Sequence, residues 1–166
     1  MFSDALDREA AWLNSYGDGL PALAKQHGGV FQIVQARWPR VPASRKTAIY
    51  VLRAPSSSAK VERFANVRSM LSTRVVLHLF WPLTNSTGSG EAEQAAFEQA
   101  IDQIITRVQG PLGDKTHGGR FLSVAEGPAG ISIDYPDPAA AMASGTGTGV
   151  FEAAIAYDAD DPDYAN

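Results

Sequence analysis

TRVVLHLFWPL at residues 73–83 and EAEQAAFEQAIDQIITRVQ at residues 91–109 decide the fold of this chain. The first stretch is apolar on both faces apart from His78, a pattern that predicts a strand in the middle of a sheet. The second has acidic residues in its first turn, apolar residues at helical spacing and Gly110 directly after it. It predicts a long amphipathic helix whose apolar stripe needs a flat apolar partner, which we expect to be the sheet. That stripe consists of Phe97, Ile101, Ile104, Ile105 and Val108.

Further strands are predicted on both sides of this pair, because β-branched and aromatic residues cluster between turn-forming residues. They cover residues 30–38, 47–53, 120–126, 130–135 and 150–158. Residues 54–72 fit either a loop or a short amphipathic helix, and the sequence leaves both open. The segments 85–90 and 136–149, rich in small and turn-forming residues, are predicted to be mobile connectors.

Two helices are predicted before the first strand. Leu6, Ala10 and Leu13 recur at helical spacing, which indicates an N-terminal helix with one apolar face. Residues 20–26 have Pro21 near their start and Gly28 after them, which favours a short second helix.

This order of elements predicts an α+β fold, with a mostly antiparallel sheet and the long helix packed on one face. The chain has 166 residues, the length of one domain. We expect residues 1–158 to form that domain and residues 159–166 to form a frayed acidic C-terminal tail. The chain lacks cysteine, so it forms no disulfide, thiolate metal site or thiol nucleophile. Its acidic start and its lack of a long apolar run predict neither a signal peptide nor a membrane span.

Charge is distributed unevenly along the chain, although the net charge is only -4. Residues 37–74 hold nine basic side chains and one acidic one, Glu62, and sum to +8. Residues 75–166 hold three basic and thirteen acidic side chains and sum to −10, and residues 1–36 sum to −2. Such asymmetry indicates a charged partner surface, although blocks of charge along a sequence can also intermix once the chain folds.

The sequence contains no recognisable catalytic or metal-binding constellation. His27, His78 and His117 lack the spacing of a helical zinc site, and we expect His78 to be a hydrogen-bonded residue of the sheet. The Asp residues between 158 and 163 lack the Gly and the bidentate Glu of a calcium loop. A G-x-S-x-G nucleophile turn is also missing. We therefore expect no enzymatic activity, no cofactor and no metal.

The aromatic residues allow two interpretations. Trp38, Trp81 and Tyr157 lie in predicted strands and are expected in the core. Trp12 and Tyr16, on and just after the first helix, fit either the core or a surface that meets a partner, since both residue types are enriched at interfaces.

From Arg74 to Phe121 the chain resembles small structural proteins of long-tailed bacteriophages of actinobacteria. The resemblance rests on RVVLHLFWPL, the Gly/Ser connector, the helix EAEQAAFEQAIDQIITRVQG and GDKTHGGRFLSV. The order of elements over residues 30–158 is similar to that of the tail terminator family. None of these segments is a catalytic motif.

The resemblance implies a structural virion protein that forms a head-proximal ring, usually of six copies. Such a ring caps the finished tail tube, ends its polymerisation and joins the tail to the head and neck. Tail-completion and head–tail connector (neck) proteins have related folds, so either is an alternative role. The implied partners are other copies of the chain, the tail tube protein and neck proteins, with no membrane. The implied location is the virion, after synthesis in the host cytoplasm.

The basic residues of 37–74 are the interface that we expect from the sequence. They would contact neighbouring subunits or rings, while acidic groups of residues 75–166 would partly line a channel through which DNA passes without specific binding. The interface set is Arg37, Arg40, Arg45, Lys46, Arg53, Lys60, Arg63, Arg68 and Arg74. A nucleic-acid-binding module is a further alternative, in which Trp38, Tyr50 and Phe64 would stack on bases.

Overall fold

A computed structural model describes residues 4–41, 46–55, 60–64, 68–83, 90–111, 114–127, 129–135, 137 and 149–163, with 60–64, 68–71 and 162–163 described as backbone. Two α-helices and seven strands follow one another in these ranges. They are α1 (Ala5–Asn14), β1 (Ile33–Ala36), β2 (Ala48–Arg53), β3 (Lys60–Phe64), β4 (Arg68–Pro82), α2 (Gly90–Gln109), β5 (Ser123–Val124), β6 (Ser132–Asp134) and β7 (Val150–Asp163).

The strands form one mixed sheet in the order β1-β2-β4-β7-β5, with β3 paired to β4 and β6 paired to β7. Each pairing is antiparallel except that of β1 with β2. The predicted α+β class with a mostly antiparallel sheet is therefore confirmed. The central position predicted for residues 73–83 is also correct, because β4 has β2 on one side and β7 on the other.

One face of the sheet carries the hydrophobic core. In the central register Val51 is opposite Leu77, and Leu77 is opposite Ile155, and all three are fully buried. The stripe of α2 joins the same core through Phe97, Ile101, Ile104 and Val108. Ile105, the remaining member of the stripe, is partly buried. The long helix therefore packs on the sheet as its spacing predicts, because its apolar side can be removed from water only there.

β4 and β7 are the longest strands, with 15 and 14 residues, and they run beyond the region that β2 covers. β2 pairs with residues 75–80 of β4, whereas β3 pairs with residues 68–72. Residues 60–64 and 68–72 are thus strands, and neither alternative considered for 54–72 holds there. The partner strand determines this structure, because the C-terminal half of β7 gives β4 a ladder along its whole length.

The acidic tail is the largest correction at the level of elements. β7 continues through Asp163, and residues 158–163 pair with residues 69–74 of β4. Ala159 is fully buried and Asp161 is 8 % exposed. Burial of Ala159 against the core and the bond from Arg8 to Asp161 hold this segment in the sheet, so the frayed tail predicted for 159–166 is wrong over Ala159–Asp163. Residues 164–166 lie outside the described residues.

Near the N-terminus, the predicted helix at residues 20–26 is wrong. The structure has a three-residue 3-10 turn, Lys25–His27, because the backbone nearby bonds to Phe31 instead. Phe31 donates to the carbonyl of Leu23, and Lys25 donates to the carbonyl of Phe31. These bonds hold residues 23–25 in an extended pairing with the start of the next segment.

Two predicted strands are shorter than expected. The strand predicted at 30–38 forms only over Ile33–Ala36, because Arg37 has a φ of 70° and leaves the sheet. The strand predicted at 120–126 forms only over Ser123–Val124, and Ala125 has a φ of 59°. A positive φ at a residue other than glycine interrupts the extended backbone that a ladder needs. The connectors predicted at 85–90 and 136–149 lie almost entirely outside the described residues.

Candidate functional site

The basic residues predicted as an interface lie mainly on one side of β4. Arg37, Arg40 and Lys46 belong to the β1–β2 connection and are exposed, and Arg53 ends β2 and is also exposed. Lys60 and Arg63 lie on β3, which is on the same side of β4 as β2. Arg68 begins β4, and Arg45 lies outside the described residues. The strand order therefore gathers this charge along one flank of the sheet.

We call the exposed surface of the β1–β2 connection the basic corner, and it consists of Arg37, Trp38, Arg40, Val41 and Lys46. Trp38 is 45 % exposed and Val41 is 81 % exposed, so the expectation that Trp38 lies in the core is wrong. The reason is the turn at Arg37, which moves Trp38 out of β1 and onto the sheet face opposite α2. There its ring lies 4.9 Å from that of Tyr50 and 5.0 Å from that of His78.

Charges in the basic corner are only partly compensated. Arg37 donates to Asp7 on α1 at 2.8 Å, and this bond raises the pKa of Arg37. Arg40 and Lys46 form no ion pair within the described ranges of the chain. No acidic residue occurs in the sequence between Asp18 and Glu62. The basic corner is thus an exposed apolar and cationic surface that contains Trp and Arg, two residue types enriched at protein interfaces.

The opposite flank of the sheet is acidic. The sequence has no Lys or Arg after Arg120, and eight acidic residues follow it. β5, β6 and β7, which form this flank, all lie in that part of the chain. Glu126, Asp134 and Asp137 are exposed there, together with Leu122 and Tyr135, which are 51 % and 58 % exposed. We call these five residues the acidic edge.

Between the two flanks, opposite charges neutralise each other. Arg74 on β4 donates to Asp158 on β7 at 3.1 Å and to the Ser132 hydroxyl at 3.4 Å. Arg8 on α1 donates to Asp161 at 2.6 Å. Burial alone would lower the pKa of Arg8, but the hydrogen bond that Arg8 donates to Asp161 and the charge of that carboxylate raise it. Arg74, one of the nine predicted interface residues, is therefore already engaged within the chain.

A cleft of about 430 Å³ opens at the acidic edge, between the C-terminal half of α2 and the segments that carry β5 and β6. Four branched aliphatic side chains line it: Ile105, Val124, Ile131 and Ile133. The three isoleucines pack on the core while remaining partly exposed. Lys115 and Glu126 also line it, with the ammonium nitrogen 4.0 Å from the carboxylate. We call it the edge cleft.

Behind the edge cleft, a buried polar cluster joins α1, α2, the turn at 114–120 and β7. Glu9, His117 and Tyr157 are each 0 % exposed. The Tyr157 hydroxyl donates to Glu9 Oε1 at 2.5 Å, and His117 Nδ1 lies 2.8 Å from Glu9 Oε2. His117 Nε2 donates to the carbonyl oxygen of Val108 at 2.6 Å, since a carbonyl oxygen can only accept. Every polar atom of the three side chains therefore has a partner.

The cluster is closed to solvent, and Tyr157 retains its proton. Burial raises the pKa of the Tyr157 hydroxyl well above 10.0, and the neighbouring Glu9 carboxylate adds to the shift. Tyr157 thus remains a neutral donor at any ordinary pH. Although Tyr, His and Glu together can perform acid–base chemistry, these three side chains cannot touch a substrate because all are fully buried. Their arrangement serves the structure.

An aromatic and cationic stack covers one side of His117. The Trp12 ring stacks on the imidazole with centroids 4.8 Å apart, and the Arg107 guanidinium lies 4.8 Å above the Trp12 ring. Arg107 is 1 % exposed and donates to the backbone oxygen of Trp12 and to the Ser15 hydroxyl. Burial lowers the pKa of Arg107. Trp12 therefore belongs to the core, whereas Tyr16 is 69 % exposed and stacks on His27.

The cluster fixes the segment that forms the wall of the edge cleft. His117 has a φ of 50° and anchors the turn, and the backbone of Val124 then bonds to the carbonyl of Lys115. The Asp114 carboxylate accepts from the backbone and the hydroxyl of Thr116, which lowers the pKa of Asp114. The rigid interior thus positions Lys115, Val124 and Glu126 at the surface.

Other kinds of site have little support in the described residues. No group of three or more His, Asp or Glu side chains there could hold a metal ion. No described helix is long and apolar enough to cross a membrane. His78, expected to be hydrogen-bonded, has its Nε2 without a hydrogen bond and 3.6 Å from Glu152 Oε1.

Sequence reasoning missed Val41, Leu122, Tyr135 and the edge cleft. Two sequence signals point towards them. Trp38 sits between Arg37 and Pro39, which is unfavourable for a strand interior, and Lys and Arg are missing after Arg120. The position of the cleft depends on which strands become neighbours, and no local pattern encodes that.

Comparison with known proteins finds no family model that matches the chain and no matching curated protein.

Proposed function

We propose that this chain is a structural subunit of a ring at the head-proximal end of a bacteriophage tail, where it caps the tail tube and joins it to the head. The observation that carries the proposal is the charge polarity of the sheet. A basic flank lies on one side of β4 and an acidic flank lies on the other. The resemblance of residues 74–121 to phage structural proteins supplies the biological setting.

Polarity of this kind favours contact between unlike faces of identical subunits. In a cyclic ring each subunit presents one patch to one neighbour and a different patch to the other. If the two patches carry opposite charges, every contact around the ring is attractive. The basic flank and the acidic flank meet this requirement because they lie at opposite sides of one sheet.

The role requires no catalysis, and the described interior fits a purely structural subunit. Its buried titratable cluster is closed to solvent and fully hydrogen-bonded. In the proposed ring, acidic side chains that are not at subunit contacts would face the channel and repel DNA phosphates. The genome would then pass without specific binding. A tail-completion or neck protein would use the same ring-forming edges.

Nucleic-acid binding has weaker support. Tyr50, one of the three aromatic residues considered for stacking on bases, is 1 % exposed and lies under Trp38. The Phe64 side chain lies outside the described features. Trp38 then remains as an exposed ring, whereas sequence-independent binding to single strands uses several stacked bases.

Native mass spectrometry combined with a capping assay tests the proposal. The purified chain should form a closed ring, and adding it to polymerising tail-tube subunits should yield tubes with this ring at one end in negative-stain images. A chain that stays monomeric and leaves tube length unchanged would contradict the proposal. Rings that bind a head–neck complex but not the tail tube would indicate that the chain is a neck protein.

A further inference from the structure

We propose that the edge cleft is the docking site for the basic corner of a second copy of this chain, with Val41 of that copy entering the cleft. The inference rests on the proposed function, because it specifies how neighbouring subunits of the ring would join. It adds a defined contact, which ring formation alone does not require.

Exposed apolar surface on both sides is the first argument. Val41 is 81 % exposed and Trp38 is 45 % exposed, and Leu122 and Tyr135 of the acidic edge are more than half exposed. The cleft itself is lined by four branched aliphatic side chains and has a volume of about 430 Å³, enough for a valine side chain and part of its neighbours. Apolar surface that is contiguous with a cleft and rimmed by polar groups marks an interaction site.

Charge complementarity identifies the occupant. The basic corner brings Arg37, Arg40 and Lys46 and carries no acidic residue of its own. The cleft is rimmed by Glu126, and the acidic edge adds Asp134 and Asp137 nearby. Lys115 is the basic side chain in the cleft wall, and it is already turned towards Glu126 and the carbonyl of Gln109. The corner of a second copy therefore meets a surface of opposite sign.

The positions of the two surfaces in the fold also suit a ring. The basic corner connects β1 and β2 at one end of the strand order, and β5 and β6 stand at the other end. A contact between them is heterologous, so it repeats from copy to copy and closes if the rotation between subunits allows. At the outer edge of β1, the carbonyl of Val34 already accepts a hydrogen bond from the Asn14 side chain.

Disulfide trapping tests this contact cleanly, because the chain has no native cysteine. The double variant Val41→Cys/Tyr135→Cys should give, on oxidation, a ladder of linked subunits up to the size of the ring. Both positions are well exposed, so folding should not suffer, and a thermal melt checks this. The matched control is Tyr16→Cys/Tyr135→Cys. Tyr16 is 69 % exposed and lies past the C-terminal end of α1. Because Asp7 contacts Arg37 and Asn14 contacts Val34, α1 runs antiparallel to β1. Tyr16 is therefore at the opposite end of β1 from Val41.

The outcomes separate the docking contact from the proposed function. A ladder from the test pair, with at least tenfold less linkage in the control pair, supports the docking contact. A reduced double variant that forms rings by native mass but gives no ladder overturns the docking contact and leaves the ring proposal standing. A chain that is monomeric with and without the substitutions overturns both. Equal ladders from both pairs mean random collision and also overturn the docking contact.

Discussion

Replacing Glu9 should be among the most destabilising single changes in this protein, although nothing in the local sequence marks this residue. Glu9 is fully buried, accepts a hydrogen bond from the Tyr157 hydroxyl and lies 2.8 Å from His117 Nδ1. Glu9→Leu would leave the tyrosine hydroxyl and the imidazole nitrogen without partners inside the core. Each buried polar group left without a partner costs about 1–3 kcal/mol, so the two together cost about 2–6 kcal/mol. In a domain of this size each kcal/mol lowers Tm by roughly 2–4 °C, so we expect a fall of roughly 4–24 °C.

Glu9→Gln separates hydrogen bonding from mere shape. A glutamine can accept from Tyr157 through its oxygen and donate to His117 Nδ1 through its nitrogen, if the imidazole is neutral. We therefore expect a smaller loss of about 1–2 kcal/mol, the difference between charge-assisted and neutral bonds. Glu98→Gln on the exposed side of α2 is the matched control and should stay within about 0.5 kcal/mol of the unsubstituted chain.

Urea unfolding followed by circular dichroism measures all three variants. The predicted order of unfolding free energy is Glu98→Gln above Glu9→Gln, with Glu9→Leu lowest. A Glu9→Leu variant as stable as the control would refute the view that this cluster ties α1, α2 and β7 together. A Glu9→Gln variant as unstable as Glu9→Leu would instead show that the negative charge itself is required.

The remaining predictions concern pH and packing. Burial raises the pKa of Tyr157, so its contribution to stability is full below about pH 10 and declines as pH rises towards the folded-state value. Tyr157→Phe should therefore flatten the alkaline decline of stability measured by urea unfolding, and it should cost about 1.5–3 kcal/mol at neutral pH. Hydrogen bonds from Thr116 lower the pKa of Asp114, so its contribution to stability is present above about pH 4 and is lost as pH falls through the folded-state value. Asp114→Asn should reduce the slope of the unfolding free energy against pH in the acid range. An unchanged slope would contradict this. Gly29→Ala should destabilise the fold by roughly 1–3 kcal/mol, because a Cβ there would lie 2.2 Å from the backbone carbonyl atoms of Leu23. A melting temperature equal to that of the unsubstituted chain would show instead that the Leu23 backbone moves freely.

Periodic segments were predictable from the sequence, and segments shaped by distant partners were not. The spacing of Phe97, Ile101, Ile104 and Val108 defines a helix face without reference to anything else, and those side chains are buried as predicted. Residues 60–64 and Ala159–Asp163 carry weak local signals. They are strands because β4 is long enough to pair with both, a consequence of tertiary structure.

The candidate site shows the same division. The sign of charge on each part of the chain could be counted from the sequence, but its arrangement in space depends on the strand order. That order separates Arg40 and Lys46 from Glu126 and Asp134, yet brings Arg74 against Asp158. The buried pairing of Glu9 with His117 joins residues 108 positions apart, so local spacing could not indicate it.

Charge reversal with mixing tests the central claim, that unlike flanks of identical subunits join in a ring. The basic-flank variant Arg40→Glu/Lys46→Glu and the acidic-flank variant Glu126→Lys/Asp134→Lys should each remain monomeric in native mass spectra at low salt. A control pair on α2, Glu98→Lys/Asp102→Lys, should still assemble. An equal mixture of the two flank variants should restore an even-membered ring of alternating subunits, because every contact is then complementary again. Rings formed by either flank variant alone, or no ring from the mixture, would contradict the claim.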